Sequence, residues 1–145
     1  MSHWQTGKLK LNCSIAVLRR ALINIIPKWE KYIKTDEASK LTIFNSYTHQ
    51  NEGGYSLTIP QGSETGISYG DVGFKKNAQG EWEIRYDAVP YELRGNLPGR
   101  VAQEVGAMKA RAVATVRGFT VVQDEKKGND HIIRIRVPAT QAHQI

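Results

Sequence analysis

Cysteine is nearly missing from this 145-residue sequence, which contains only Cys13. A single cysteine cannot form an internal disulfide, and its position where a helix should begin favours a packing role over that of a nucleophile. Long apolar runs are also missing, so no segment is predicted to cross a bilayer. The opening stretch MSHWQTGKLK has no apolar stretch typical of a secretory signal. We therefore expect a cytoplasmic or equivalent intracellular location, without membrane insertion.

Motifs for catalysis, nucleotides and metals are missing as well. No Gly-Lys-Ser/Thr phosphate loop and no Gly-x-Gly-x-x-Gly fingerprint occurs. The histidines stand singly, without the close partners that metal ligation usually shows in sequence: His3, His49, His131 and His143. We predict no catalytic, cofactor-binding or metal-binding residues and no cofactor, and we expect a protein that is not an enzyme. An enzyme whose site is assembled only in the fold stays open as an alternative.

The composition is that of an ordinary globular protein, with 40% apolar and 23% charged residues. A chain of this length buries roughly 70% of its extended surface and needs no metal or disulfide to fold. We predict a single compact α+β domain over residues 1–138 and a frayed tail at 139–145. The sheet is expected to be mainly antiparallel, with two helices packed on one face. Its predicted core contains Phe74, Trp82, Ile84, Val105 and Met108.

Periodicity predicts two helices. Asn12 or Ser14 is expected to cap the first, which ends at Pro27. The second is predicted from Arg100 to Arg117, since apolar residues recur there at helical spacing and Gly118 follows. The linker AVPYELRGNLPG before it is expected to have no regular structure. The apolar stripe of the second helix is predicted to consist of Val101, Val105, Met108, Ala112 and Val116.

Alternating patterns predict the strands. Residues 29–34 have the alternation of a strand, and LTIFNSYT with YSLTIP is predicted to form a hairpin around HQNEGG. FTVVQDE and HIIRIRVP are predicted to form another hairpin around KKGND. In its second strand we expect one face to carry Ile133, Ile135 and Val137 and the other to carry Arg134 and Arg136.

The segment YGDVGFKKNAQGEWEIRYD, residues 69–87, raises the question of a catalytic or phosphate-binding loop. Residues 77–80, Asn-Ala-Gln-Gly, suit a type I turn closed by a bulge at Gly80, which predicts a hairpin instead. The expected register places Phe74 opposite Trp82 on the apolar face. On the wet face it pairs Lys75 with Glu81 and Asp71 with Arg85. The charges are therefore interpreted as cross-strand ion pairs.

The net charge of +6 is concentrated near the C-terminus. Residues 1–92 have a net charge of +1, with 11 Lys/Arg against 10 Asp/Glu, whereas 93–145 have +5, with 9 against 4. Such an excess is typical either of a solvated surface or of a surface that meets an anionic partner. The residues predicted to contact a partner or nucleic acid are Arg100, Arg111, Arg117, Lys126, Lys127, Arg134 and Arg136.

Two classes of binding remain for this surface. The leading hypothesis is a non-enzymatic binding or assembly factor that uses its arginines on a protein partner, because arginine offers flat, multidentate donors. The alternative is nucleic-acid binding through the same C-terminal basic face. RGFTVV, residues 117–122, has the pattern of an RNA-recognition strand, but Val121 and Asp124 occupy positions that need aromatic residues.

Three stretches also carry a family resemblance: MSHW at the start, DVGFKKNAQGEWEIRYD in the middle and GFTVVQDEKKGNDHIIRIRV near the end. They are similar to the uncharacterised cyanobacterial and plastid family named after hypothetical chloroplast reading frame thirty-five. With the first helix they cover about two thirds of the chain, whereas residues 35–68 match poorly and the second helix lacks the expected aromatic residues. The resemblance implies no reaction, cofactor or catalytic residue, and at most an accessory role beside a larger assembly.

Overall fold

The computed structural model describes residues 5–9, 11–46, 48–86, 96–118, 120–127 and 130–136. It contains two α-helices and antiparallel strands, which confirms the α+β class. In chain order the elements are β1 (Gln5–Leu9), α1 (Ile15–Ile25), a 3-10 helix (Pro27–Lys31), β2 (Lys34–Thr35), β3 (Leu41–Asn45), β4 (Gln50–Tyr55), β5 (Leu57–Ile59), β6 (Val72–Lys76), β7 (Trp82–Tyr86), α2 (Leu97–Val116), β8 (Thr120–Lys127) and β9 (Asp130–Arg136).

The chain forms two compact units, an N-terminal unit of residues 1–102 and a C-terminal unit of residues 103–145. Helix α2 begins in the first and continues in the second. One domain over 1–138 stays a prediction, and the predicted tail at 139–145 lies outside the described residues. The two units are described separately below.

The N-terminal unit is built on a five-stranded antiparallel sheet in the order β1-β7-β6-β5-β2. Strands β3 and β4 pair with each other as a two-stranded sheet. Two buried tryptophans link distant segments, since the indole Nε1 of Trp82 donates to the carbonyl of Cys13 at 2.8 Å and that of Trp29 to the carbonyl of Thr65 at 2.8 Å. Cys13 is itself buried, as expected of a packing residue. The predicted core residues of this unit are fully buried: Phe74, Trp82 and Ile84.

Helix α1 begins as its sequence indicates. The Ser14 side chain accepts a hydrogen bond from the backbone N–H of Val17 at 3.2 Å, so that Ser14 is the N-cap. After the helix, Pro27 opens the 3-10 helix, and a strand over residues 29–34 is wrong except for Lys34. The physical reason is that proline suits the first position of a helical turn, and the turn carries Trp29 into the core.

The predicted hairpin of LTIFNSYT with YSLTIP is also wrong. QNEGG, predicted as part of the turn, forms β4 together with Tyr55 and pairs with β3, whereas β5 pairs with β2 and β6. The chain reverses between Asn45 and Gln50, where His49 has a φ of 57° and donates its N–H to the carbonyl of Asn45. β4 is mostly exposed, which lets a strand form from residues of low β propensity.

Residues 69–87 contain the predicted hairpin, formed by β6 and β7, but its register differs from the predicted one. The predicted turn is present, because the N–H of Gly80 donates to the carbonyl of Asn77 and Gly80 has a φ of 78°. Across this turn the Asn77 N–H donates to the Glu81 carbonyl, so each partner lies two positions farther along β7 than predicted. Phe74 therefore lies opposite Ile84, and Lys75 opposite Glu83. A shift of two keeps the predicted apolar face buried.

The predicted ion pair of Asp71 with Arg85 is replaced by other contacts. The carboxylate of Asp71 accepts from the backbone N–H groups of Phe44 at 2.8 Å and Gln61 at 2.9 Å, so it connects β3 to the loop after β5. The Arg85 guanidinium lies 3.5 Å from the Glu52 carboxylate on β4. Asp71 is therefore a structural acceptor for two backbone groups.

Helix α2 starts three residues earlier than predicted, within the linker that was expected to have no regular structure. The Asn96 side chain accepts from the N–H of Gly99 at 3.1 Å, so the helix can begin at Leu97 with Pro98 in its first turn. It ends before Gly118, which has a φ of 71° as predicted for a stop.

The predicted apolar stripe of α2 holds only in the first part of the helix. Val105 is fully buried and Met108 is half-buried, but Ala112 is exposed and Val116 is 86% exposed. Between residues 106 and 116 the buried residues are instead Ala107 and Ala114. Apolar periodicity alone does not determine burial here, because Ala112 and Ala114 are the same residue type and only Ala114 is buried.

Candidate functional site

The C-terminal unit brings part of the predicted arginine surface next to the second hairpin. β8 and β9 pair antiparallel from Thr120 with Arg136 to Lys127 with Asp130, as predicted except for a shorter turn. Alternation along β9 places Ile133 and Ile135 on one face and Arg134 and Arg136 on the other, as predicted. Val137, also assigned to the first face, lies outside the described residues.

Helix α2 contacts this hairpin through an ionic cluster around Asp124 of β8. The Arg111 guanidinium donates Nε–H to Asp124 Oδ2 at 2.5 Å and Nη2–H to Oδ1 at 3.2 Å, which is bidentate geometry. His131 Nε2 lies 2.6 Å from Asp124 Oδ1. Arg111 Nη1 is also 3.6 Å from the carboxylate of Glu104, which lies seven residues, or about two turns, earlier in α2. We call Glu104, Arg111, Asp124 and His131 the ionic cluster.

The cluster has a defined protonation pattern. The Arg111 guanidinium, followed by the His131 ring, lowers the pKa of Asp124 to about 2. Because an ionised carboxylate is an acceptor only, the His131 nitrogen that faces it must carry hydrogen and donate. That nitrogen is therefore not available as a general base. The cluster is suited to fixing the helix against the hairpin within this unit.

Helical spacing explains why this side of α2 meets the hairpin. Glu104, Ala107, Arg111 and Ala114 recur at intervals of three and four residues and so share one side of the helix. Ala107 and Ala114 are 4% and 1% exposed, while Arg111 reaches Asp124. Ala107 and Ala114 are thus buried on the side of the helix from which Arg111 extends to the Asp124 carboxylate. We call this side the hairpin-facing side of α2.

The predicted basic residues divide over different parts of the chain. Arg111 belongs to the ionic cluster, and Arg100 is only half exposed in the first turns of α2. Lys126 pairs with His131 in the register and so shares the face of Asp124, whereas Arg134 and Arg136 share the opposite face. Arg117 is exposed at the end of α2, and of Lys127 only its place in β8 is described. The basic residues predicted to form one surface therefore lie on at least two different surfaces.

A second polar cluster occurs in the N-terminal unit, around Glu52 of β4. Its carboxylate accepts from the hydroxyl of Tyr55 at 3.2 Å and from the side-chain amide of Asn45 at 3.1 Å, next to the Arg85 guanidinium. Burial, followed by the charge of Glu52, raises the pKa of the Tyr55 phenol. The tyrosine therefore stays neutral and donates, which is a structural arrangement.

Surface grooves of the N-terminal unit are open and small. A groove of about 300 Å³ lies beside the start of α1 and is lined by Ser14, Ile15, Glu37, Ser39, Ser56, Lys76 and Trp82. In it the hydroxyls of Ser39 and Ser56 bond each other at 2.6 Å, and the Lys76 ammonium lies 5.2 Å from the centre of the Trp82 ring. Within the described residues, no three histidine, cysteine or acidic side chains gather as a metal site would require.

Membrane insertion was not expected, and in the described part of the chain neither helix has the length and apolarity needed to span a bilayer. No protein-family model, curated protein or solved structure matches the chain. The resemblance to the reading-frame-thirty-five family stays a prediction.

Sequence reasoning missed three of the four members of the ionic cluster: Glu104, Asp124 and His131. The spacing of seven residues between Glu104 and Arg111 puts both on the same face of α2. Asp124 and His131 become neighbours through the register of the hairpin, as diagonal positions on one face. The available signal was the alternation of β8 and β9, which puts an acid and a histidine on the same face.

Proposed function

We propose that the protein is a non-enzymatic binding or accessory factor that docks on an acidic protein partner through its C-terminal unit. The observation that carries the proposal is the two-sided hairpin. One face holds the ionic cluster with α2, while the other presents exposed Arg134 and Arg136. The ionic cluster holds one face of the hairpin against α2. The backbone that carries Arg134 and Arg136 is therefore held in place, and less entropy is lost when a partner binds.

The exposed apolar residues favour protein over nucleic acid. In the described part of the C-terminal unit, the large hydrophobic side chains that are exposed are aliphatic: Val113 at 51%, Val116 at 86% and Ile135 at 41%. Ile135 lies on the face of the hairpin opposite Arg134 and Arg136, so these side chains do not form one patch with the arginines, but exposed aliphatic contacts are typical of protein interfaces. Single-stranded RNA and DNA are bound mainly by aromatic stacking together with a basic groove, so aliphatic residues give a nucleic acid little to bind.

A pair of charge-reversed variants tests the proposal. Tagged full-length protein is crosslinked in its native lysate, and the captured proteins are compared with those of Arg134→Glu/Arg136→Glu. Lys28→Glu/Lys31→Glu is the matched control, because these two exposed lysines of the 3-10 helix give the same charge change in the other unit. We expect a nuclease-resistant acidic partner that the control retains and the arginine variant loses.

The nucleic-acid alternative has its own measurement. Short RNA and DNA are titrated into the protein at about 50 mM and 200 mM salt, since affinity based on phosphate contacts falls steeply with salt. Salt-dependent binding that Arg134→Glu/Arg136→Glu abolishes, together with no captured protein, would contradict a protein partner.

A further inference from the structure

The outer edge of β9 has no partner strand in the described part of the chain. β9 pairs with β8 in a two-stranded sheet, and no other described strand joins them. The register advances from Val121 to Gln123 on β8 but only from Ile135 to Arg134 on β9, so the bulge lies in β8. β9 is therefore a regular strand, DHIIRIR, without proline or glycine. Such an edge offers a row of N–H and C=O groups to another strand, and it lacks the bulge or proline that often protects edges.

Charges of opposite sign stand at the two ends of β9. Asp130 begins the strand, Arg134 and Arg136 are near its end, and all three side chains are exposed. They lie on the same face of the hairpin, because they are separated by even numbers of residues. None of the three side chains forms an ion pair with another described residue. Asp130 and Arg136 are six residues apart, or about 20 Å in a strand, so they cannot meet within one copy of the chain.

A second copy of β9, running antiparallel, matches these charges. Alternate residues direct their backbone groups to the same edge, so two identical antiparallel strands pair about a single central residue. When that residue is Ile133, every position of β9 is paired, and Asp130 of each copy lies opposite Arg136 of the other. Asp130 is then also diagonal to Arg134 of the other copy, which is within reach of a long side chain. On the opposite face of the strands, Ile133 lies against its own counterpart.

Other pairings of two β9 strands are less favourable. A parallel pair in register would place each charge beside its own counterpart, which is destabilising. An antiparallel pair centred on Arg134 would put the two Arg134 side chains opposite each other and leave Asp130 without an arginine. A pair centred on Ile132 would match Asp130 with Arg134 but leave the last two residues of each β9 beyond the end of the other. The register centred on Ile133 therefore pairs the most residues and neutralises both acids.

We propose that β9 pairs with β9 of a second copy of this chain, so that the two hairpins form a four-stranded antiparallel sheet. The contact has two-fold symmetry, since each copy contributes the same edge. It adds about six to eight backbone hydrogen bonds. The contact is small, and the two Arg134 side chains become diagonal neighbours, so we expect a weak dimer with a dissociation constant of about 10–100 µM. Self-association goes beyond the proposed function, and Arg134 stays on the open face of the sheet.

Exchange of the charges at the two ends of β9 tests the pairing. Sedimentation velocity of the purified full chain measures dimerisation over concentrations below and above the expected dissociation constant. We expect Asp130→Arg and Arg136→Asp each to weaken the dimer about tenfold or more, because each turns two attractive pairs into repulsive ones. The double variant Asp130→Arg/Arg136→Asp should recover most of the affinity. Only pairing between copies explains such a recovery, since the two positions are too far apart within one copy.

A mixture of the two single variants gives an independent measurement. Asp130→Arg has arginine at both positions and Arg136→Asp has aspartate at both, so a mixed pair has opposite charges at each contact. We expect a heterodimer in the mixture, although each variant alone is mainly monomeric. Arg117→Asp is the control, because Arg117 is exposed at the end of α2 and gives the same charge change outside β9. It should dimerise like the unchanged protein.

Circular dichroism checks that each variant is folded. Asp130 lies opposite Lys127 of β8, so Asp130→Arg also changes the charges near the turn. If this variant is unfolded, Asp130→Asn takes its place and should weaken the dimer by a smaller factor, because it removes an attraction without adding a repulsion.

Three results would overturn the inference. A chain that stays monomeric at all concentrations has no such contact, and crosslinks from its β9 to a different protein would assign the edge to that protein. A dimer that neither single variant weakens uses another surface. Folded single variants that form no heterodimer exclude the register centred on Ile133. The proposed function stands or fails separately, since sedimentation of the purified chain involves no other partner.

Discussion

Gly73→Ala in β6 should destabilise the N-terminal unit strongly for so small a change. A Cβ at residue 73 would lie 2.6 Å and 2.8 Å from two ring carbons of Tyr55 and 2.9 Å from Cγ2 of Ile43. Neither neighbour can move easily, because both are almost fully buried and the Tyr55 hydroxyl donates to Glu52. The aromatic ring thus covers the glycine of the neighbouring sheet. Only the absence of a side chain allows this packing.

The expected loss follows from two opposing effects. Replacing glycine reduces the entropy of the unfolded chain, which stabilises by about 0.4–1 kcal/mol where the side chain fits. Overpacking a buried site costs about 1–3 kcal/mol, and contacts below 3.0 Å from ring carbons place this site in the upper part of that range. We therefore expect a net loss of about 1–2 kcal/mol, or a fall of about 1 M in the urea midpoint.

Urea unfolding followed by tryptophan fluorescence measures this change, since Trp29 and Trp82 are fully buried in the same unit. Gly53→Ala on β4 is the matched control. Its added Cβ would lie 3.8 Å from Cγ2 of Thr42, an ordinary contact, so its midpoint should equal or slightly exceed that of the unchanged protein. A Gly73→Ala midpoint equal to or above that of Gly53→Ala would refute the packing argument.

Three further predictions concern the helices and the ionic cluster. The folded pKa of Asp124, about 2, lies below its ordinary value of 3.8, so its stabilisation is complete above about pH 4 and is lost as the pH falls towards 2. Acid titration of hydrogen exchange in β8 and β9 should show this loss, and Asp124→Asn should remove it; an unchanged profile would contradict the assignment. Gly106→Ala should stabilise α2 by up to about 1 kcal/mol, seen as a higher melting temperature, because the added methyl meets open space; a lower one would show that the glycine is needed by the fold. Ser14→Ala should cost about 1 kcal/mol in urea unfolding through loss of the cap of α1, whereas Ser14→Asp should retain most of it.

Local signals in the sequence were sufficient where neighbouring residues determine the structure. The Ser14 cap, the turn closed by Gly80 and the stop at Gly118 depend on side chains or φ values within a few positions. The register of β6 and β7 shows the limit of this reasoning. The turn was predicted correctly, but each partner lies two residues farther along β7 than predicted, which leaves the faces unchanged and changes every partner. Hydrophobic alternation cannot detect a shift of two.

Tertiary context decided the remaining elements. Residues 29–34 have the alternation of a strand, yet Trp29 lies in a 3-10 helix and is buried. Its indole donates a hydrogen bond to the carbonyl of Thr65, 36 residues away. QNEGGY lacks β propensity, but it becomes a strand because β3 supplies its hydrogen-bond partners. The predicted apolar stripe of α2 also failed in its second half, where Ala107 and Ala114 are buried and the predicted Ala112 and Val116 are exposed.

The basic residues of the C-terminal third show why charge counting alone could not define the candidate site. Arg111 and Arg134 contribute the same charge to a count of the sequence. Only Arg111 is shown to pair with Asp124, and this pair lowers the free energy of the folded unit. Arg134 lies on the opposite face of the hairpin, away from Asp124. An arginine that stabilises the fold contributes little to a partner, because binding would first have to break its existing pair. Prediction of a docking surface from such a sequence therefore requires the register of the acids, which assigns Arg111 to the fold and keeps Arg134 and Arg136 as candidates for the docking that we propose.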